Sequence, residues 1–235
     1  MYLQVITTML VWVCSFGGHT EPRDFKQIFK NNWTSAERYV EKQRQVWNVI
    51  FNAFSVPADL AVAVVFPEQI RYSALQNIME TAAIKALYVQ GGTRMANFSI
   101  GRFQMKPSFA EEVEREWMQT EWRHYYGIYF DLSDSMEARR ARIRRLDDVQ
   151  WQCIYLSLFV KLLYRRCPQL AKDTAAEQVR FCATAYNVSF KGSYGEIRGK
   201  SRKAFFHTDF MASSSTVYYA YPDIAVYYYL LLKHV

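Results

Sequence analysis

Apolar residues recur at helical spacing along most of the chain. Between Glu21 and Phe54 the stripe Tyr39, Val46, Val49, Ile50 and Phe54 predicts one or two amphipathic helices, and Ser55-Val56-Pro57 breaks them. Asp59 then caps the short run Leu60 to Phe66, which is apolar all round and so expected to be buried all round. That run ends at Pro67-Glu68. Ile70, Ala74, Ile78, Ala82 and Leu87 carry the helical pattern on to Gln90, where Gly91-Gly92 stops it. Phe109, Val113, Trp117 and Thr120 predict a helix from Ser108 to about His124, with the acidic cluster Glu111, Glu112 and Glu114 as a solvated face. Trp151, Ile154, Tyr155, Leu158, Leu162 and Leu163 predict another, stopped near Cys167-Pro168. Ala175, Val179, Cys182, Ala183 and Tyr186 give a later helix that starts at Thr174 and ends at Asn187. The tyrosine-rich tail from Val217 to Leu232, with Pro222 near its start, reads as a short helix packed on the core. The pattern predicts a mainly-α fold.

One loop interrupts this pattern with purpose. Asn97-Phe98-Ser99-Ile100-Gly101-Arg102-Phe103-Gln104-Met105-Lys106-Pro107 turns at Gly101 and enters a helix, with Pro107 in the first turn where a missing N–H costs nothing. Ser99, Gln104 and Lys106 are held between Ile100, Phe103 and Met105. A plain surface loop has no use for those apolar residues. The loop is therefore expected to be packed from below and to present polar groups upward, as a pocket wall does.

Charge adds two features. The chain of 235 residues carries a net charge of +7, which favours an acidic partner without choosing among nucleic acid, anionic membrane and acidic wall polymer. Glu68 ends a buried apolar helix in this reading, and burial there raises the pKa of a carboxyl and suits it to general-acid work. The alternative is that Glu68 reaches solvent or pairs with Arg71. The arginine-rich stretch Asp134 to Arg145 reads as a solvated helix surface, and Ser189 to Lys203 as a mobile basic loop.

The uncharged run Val5 to Val13, followed by Ser15, Gly17 and Gly18, reads as a secretory signal peptide over residues 1–18, although no Lys or Arg precedes it. The mature chain is then exported to the periplasm or the medium, with Cys14 as a possible lipid attachment point. No other stretch approaches the roughly 20 apolar residues that span a bilayer. Removal of the leader leaves Cys153, Cys167 and Cys182, an odd number that is no disulfide framework. With no CxxC and no His pair at ligand spacing, neither metal nor cofactor is expected.

Three pieces, in this order, resemble the lytic transglycosylase and goose-type lysozyme family. They are Val64-Val65-Phe66-Pro67-Glu68, Gly101-Arg102-Phe103-Gln104-Met105-Lys106-Pro107, and Ala185-Tyr186-Asn187-Val188-Ser189. These match the family's glutamate closing an apolar helix, its Gly-Leu-Met-Gln-x-x-Pro stretch and its Ala-Tyr-Asn-Ala-Gly stretch. Gln150 to Leu163 is similar to the helix the family places between the last two. The resemblance spans residues 58 to 190 and implies a lysozyme-like helical domain over 19–235, with an N-terminal helical extension. It implies cleavage of the MurNAc-β-1,4-GlcNAc bond of peptidoglycan glycan strands by one glutamate. Glu68 is that glutamate, with Glu80 as the alternative because it shortens an unusually long gap to Gly101. A second carboxylate, if there is one, is Glu80 or Asp131. The resemblance further implies that Ser99, Gly101, Gln104 and Met105 hold the sugar, that Tyr186 orients the glutamate, and that Asn187 ties its helix end to the loop. Gln69 and Ser189 depart from the family's serine and glycine.

Two other classes compete. A catalytically inactive glycan-binding or scaffold protein on the same fold is favoured by these departures. A basic nucleic-acid-binding protein would rest on Arg139 to Arg145 and Lys191 to Lys203, but no recognition motif supports it and an export signal opposes it.

Overall fold

The computed structural model describes residues 23–74, 82–188, 191–209 and 212–233. The expected leader, Cys14, Ile78, Glu80 and Ser189 lie outside those residues. What is described is mainly helical, as the periodicity predicts.

Helix α1 (Phe25–Ala53) begins where the Asp24 carboxylate accepts the Gln27 N–H at 3.1 Å, and it kinks at Lys30, whose φ is +44°. Its buried face is Phe25, Phe29, Trp33, Ala36, Val40, Trp47 and Phe51. Of the expected stripe, Phe54 is buried and Tyr39 and Ile50 pack against the core, but Val46 and Val49 are exposed. The two tryptophans bury more apolar area than any valine, so they take the core side. Helix α2 (Ala58–Ala74) is the centre of the fold, packed by α1 and by two helices from the end of the chain. Leu60 to Phe66 and Ile70 are all buried on it. It does not end at Glu68. Pro67 lies inside the helix, and burial on every side outweighs the roughly 3 kcal/mol that an interior proline costs.

Helix α3 (Ala82–Gly91) turns Tyr88 inward and leaves Leu87 exposed. Helix α4 (Pro107–Trp117) starts with proline at its first position, as expected, but stops early. The Thr120 hydroxyl bonds the Trp117 carbonyl at 2.8 Å, and a separate short helix α5 (Trp122–Tyr126) follows. Ser135 caps α6 (Met136–Asp147) and Asp148 caps α7 (Val149–Arg166) through their side chains. Helix α8 (Ala175–Val188) ends one residue beyond the expected Asn187.

The basic segment after it is not all loop. Ser193 and Glu196 form a capping box that starts α9 (Tyr194–Gly199). A small antiparallel pair, β1 (Ala204–Phe206) and β2 (Tyr219–Ala220), leads into α10 (Tyr221–Lys233), the expected terminal helix. Helix α10 packs on α8 and α2. Cys153, Cys167 and Cys182 are buried free thiols, and burial pushes each thiol's pKa up. No helix among the described residues is long and apolar enough to cross a membrane.

The expectation for the charged helices is corrected. Arg139 and Arg142 on α6 and Glu114 on α4 are buried, not solvated. The Glu114 carboxylate accepts from Arg142 at 2.5 and 2.8 Å, from Arg145 at 2.9 Å and from the Tyr155 hydroxyl. Arg142 also donates to Tyr88, whose hydroxyl donates to Glu111 at 2.7 Å. Arg139 donates to the Val89 and Gln90 carbonyls. This network joins α3, α4, α6 and α7 behind the loop.

Candidate functional site

The loop is built from its backbone outward. Ile100 and Met105 exchange both backbone hydrogen bonds, at 2.9 and 3.1 Å, and close a tight turn between them. Gly101 turns at φ +66° and Gln104 at +49°. Gln152 from α7 fills the turn from behind. Its carbonyl accepts the Phe103 N–H at 2.9 Å, and its amide donates to the Ile100 and Leu146 carbonyls at 3.0 and 2.6 Å. Ile100, Phe103 and Met105 are buried beneath, so the loop is packed from below as its sequence implies.

Two further ties hold it to the helices. The Gln69 amide of α2 donates to the Arg102 carbonyl at 2.7 Å, and the Tyr186 hydroxyl of α8 donates to the Phe103 carbonyl at 2.6 Å. Arg102 itself lies between two rings, 3.8 Å from Tyr39 and 4.2 Å from Tyr72. The Asn97 side chain accepts the Ser108 N–H at 3.2 Å and joins the loop to the start of α4.

A cleft of about 390 Å³ opens between this loop, α2, α4 and the end of α8. Glu68, Ser99, Gln104, Met105, Tyr186 and Asn187 all line it, so six of the residues singled out in the sequence meet on one surface. Gly101 does not line it. A Cβ there would stand 1.9 Å from the Gln152 amide nitrogen, so this glycine shapes the wall from behind. Asp131 is exposed and lies off the cleft.

The Glu68 side chain is only 6% exposed. Burial raises its carboxyl pKa, while the charges of Arg71 and Lys106 pull the other way. Glu68 does not close the helix that carries it, because α2 runs on to Ala74. Its hydrogen-bond partner among the described residues is Arg71, 3.4–3.5 Å away. Tyr186 is close enough to feel the glutamate's charge, but its hydroxyl serves the loop instead. The expected link from Asn187 to the loop is absent among the described residues; the neighbouring tyrosine makes it.

Sequence reasoning placed Lys106 on the polar side of the loop, missed Glu112 and Lys191 as cleft residues, and read Arg71 only as an alternative partner for Glu68. All four line the cleft. Glu112 is bridged to Lys191 at 2.5 Å and to Arg115 at 3.1 Å. Helical spacing does flag two of them. Arg71 follows Glu68 by one turn, and Glu112 follows Ser108 and Phe109 by one turn.

A larger concavity, about 1270 Å³, lies between α8, α9, α10 and the strand pair. Across it Arg180 pairs with Asp223 and Glu177, and Arg198 with Asp173 and Glu177. It holds no buried acid, so the smaller cleft is the better candidate for chemistry. No group of side chains suited to a metal ion occurs among the described residues. No known family, curated protein or solved structure matches this chain.

Proposed function

We propose that this chain cleaves the MurNAc-β-1,4-GlcNAc bond of peptidoglycan, with Glu68 as a single general acid and base on a lysozyme-like helical domain. One observation carries the reading: a carboxyl group buried enough to favour its protonated form lies on the wall of a cleft rich in hydrogen-bonding side chains. In this reading the protein is exported through its leader and meets glycan strands at the wall; nucleic acid is not a partner.

Protonated Glu68 gives its proton to the glycosidic oxygen as the bond to the anomeric carbon breaks. The carboxylate left behind then takes a proton from the attacking hydroxyl. Attack by the muramic C6 hydroxyl gives a 1,6-anhydro product; attack by water gives hydrolysis. The other carboxylate on the cleft wall, Glu112, is neutralised by Lys191 and Arg115. A single-acid route through the C6 hydroxyl fits that arrangement. Ser99 and the free carbonyl end of Gln104 bind sugar hydroxyl and N-acetyl groups, while the Gln104 amide is spent on Gly101 at 2.9 Å.

The test is mass analysis of products released from purified peptidoglycan. The wild-type chain is expected to release muropeptides and Glu68→Gln none. Equal release by both removes Glu68 from the reaction.

A second reading has its own support. Arg71 holds the Glu68 carboxylate toward its charged form, which suits a glycan-binding protein without catalysis. Strand binding by the wild type with no released product would select it.

A further inference from the structure

We propose that Arg71 is a positioning and specificity residue: its guanidinium holds the Glu68 carboxyl group from beside it on the cleft wall, and an anionic substituent on the incoming glycan draws it away and so arms the acid. This rests on the glycan-cleaving reading of the cleft.

The clamp is loose and reachable. Arg71 follows Glu68 by three residues on α2, and its Nη1 lies 3.4–3.5 Å from both carboxylate oxygens, at the long end for a hydrogen bond. Its Nε donates to the His207 carbonyl at 3.3 Å, and its guanidinium lies 4.7 Å from the Phe206 ring. Its Nη2 makes no hydrogen bond among the described residues. The side chain is 23% exposed and lines the cleft. A carboxylate arriving from solvent can therefore take Nη2 at once and exchange Nη1 from Glu68, reaching the fork geometry that Glu68 lacks.

Charge balance requires the coupling. The cleft wall holds the pairs Glu68–Arg71 and Glu112–Lys191, and Lys106, which has no ion pair among the described residues. Protonating Glu68 leaves Arg71 and Lys106 both uncompensated. A substrate anion restores the balance, so anion binding and proton uptake by Glu68 favour each other. The other titratable groups facing Glu68 are Tyr186 from α8 and Tyr221 from α10. Burial pushes both phenols well above their ordinary range, so they stay neutral while Glu68 titrates.

The experiment compares peptidoglycan strands bearing free carboxylates with the same strands amidated, for the wild type and Arg71→Gln. The wild type is expected to lose at least about tenfold in kcat/KM on amidation, and Arg71→Gln to treat both strands alike. On amidated strands the basic limb of the Arg71→Gln pH profile is expected about one unit above the wild-type limb, because removing a nearby cation raises a carboxyl pKa. Arg71→Lys should restore part of the preference. An unchanged preference and an unchanged limb in Arg71→Gln overturn the inference and leave the cleavage reading standing. If the wild type cleaves neither strand, the cleavage reading falls first. The clamp is then read without turnover, from the carboxyl carbon resonance of Glu68 titrated with the free-acid and amidated MurNAc–GlcNAc disaccharides. The free acid is expected to raise the midpoint in the wild type and not in Arg71→Gln; equal midpoints overturn the clamp.

Discussion

The amide nitrogen of Gln152 stands 1.9 Å from where a Cβ on Gly101 would be. Helix α7 and the cleft loop are therefore fitted to each other at a point where no side chain can be added. The Leu146 carbonyl, 2.9 Å from the same position, closes the other side.

Gly101→Ala is expected to destabilise the fold by about 2–4 kcal/mol, combining positive-φ strain with displacement of a buried, hydrogen-bonded amide. Denaturant unfolding measures it. Gln152→Leu should cost a similar amount, since it orphans the Phe103 N–H and the Ile100 and Leu146 carbonyls. Wild-type stability in both variants would mean the loop is not held from behind.

Glu68→Gln should be more stable than the wild type at neutral pH. The folded-state pKa of Glu68 is raised by burial, so its contribution is fully present below the unfolded value. That contribution is lost as pH rises through the folded value, and Gln carries no such loss. A gain in Tm of about 2–4 °C at pH 7, the shift for about 1 kcal/mol in a chain of this size, should shrink as pH falls toward the carboxyl range. A gain that does not depend on pH would point to some other cause.

Glu114→Gln should be among the most damaging single changes. It leaves Arg142 and Arg145 without their buried countercharge, at about 3–5 kcal/mol. Calorimetry with and without the change reads this directly. Glu121→Gln, on an exposed side chain, should change stability by less than about 0.5 kcal/mol.

Tyr186→Phe keeps the ring among Phe109, Phe159 and Tyr221 but removes the bond to the Phe103 carbonyl. A stability loss of about 1–2 kcal/mol is expected, with a drop of about tenfold or more in strand cleavage as the loop shifts against Glu68. Unchanged kinetics would mean the loop needs no such tie.

Much of this was legible in local patterns. The all-apolar run Leu60 to Phe66 demands burial wherever it folds, and Pro107 at a helix start needs no partner. Gly101 between packed apolar residues announces a turn with a floor. The misreadings share a cause. Val46 and Val49 fit a helical period as well as Trp47 and Phe51 do, and only a neighbouring helix chooses between the faces. Pro67 reads as a stop, yet burial among α1, α8 and α10 carries the helix past it.

By itself, the chain's pattern determined a mainly helical protein and marked Glu68, Gln104 and Tyr186 as residues to watch, because periodicity and turn chemistry act over a few neighbours. Tertiary packing alone decided that these three share one cleft. It also decided that Arg71, rather than Tyr186, meets the glutamate, and that Glu114 and Arg142 neutralise each other in the interior. A charge on a helix looks solvated until an opposite charge distant in sequence is folded against it, and no local pattern records that pairing.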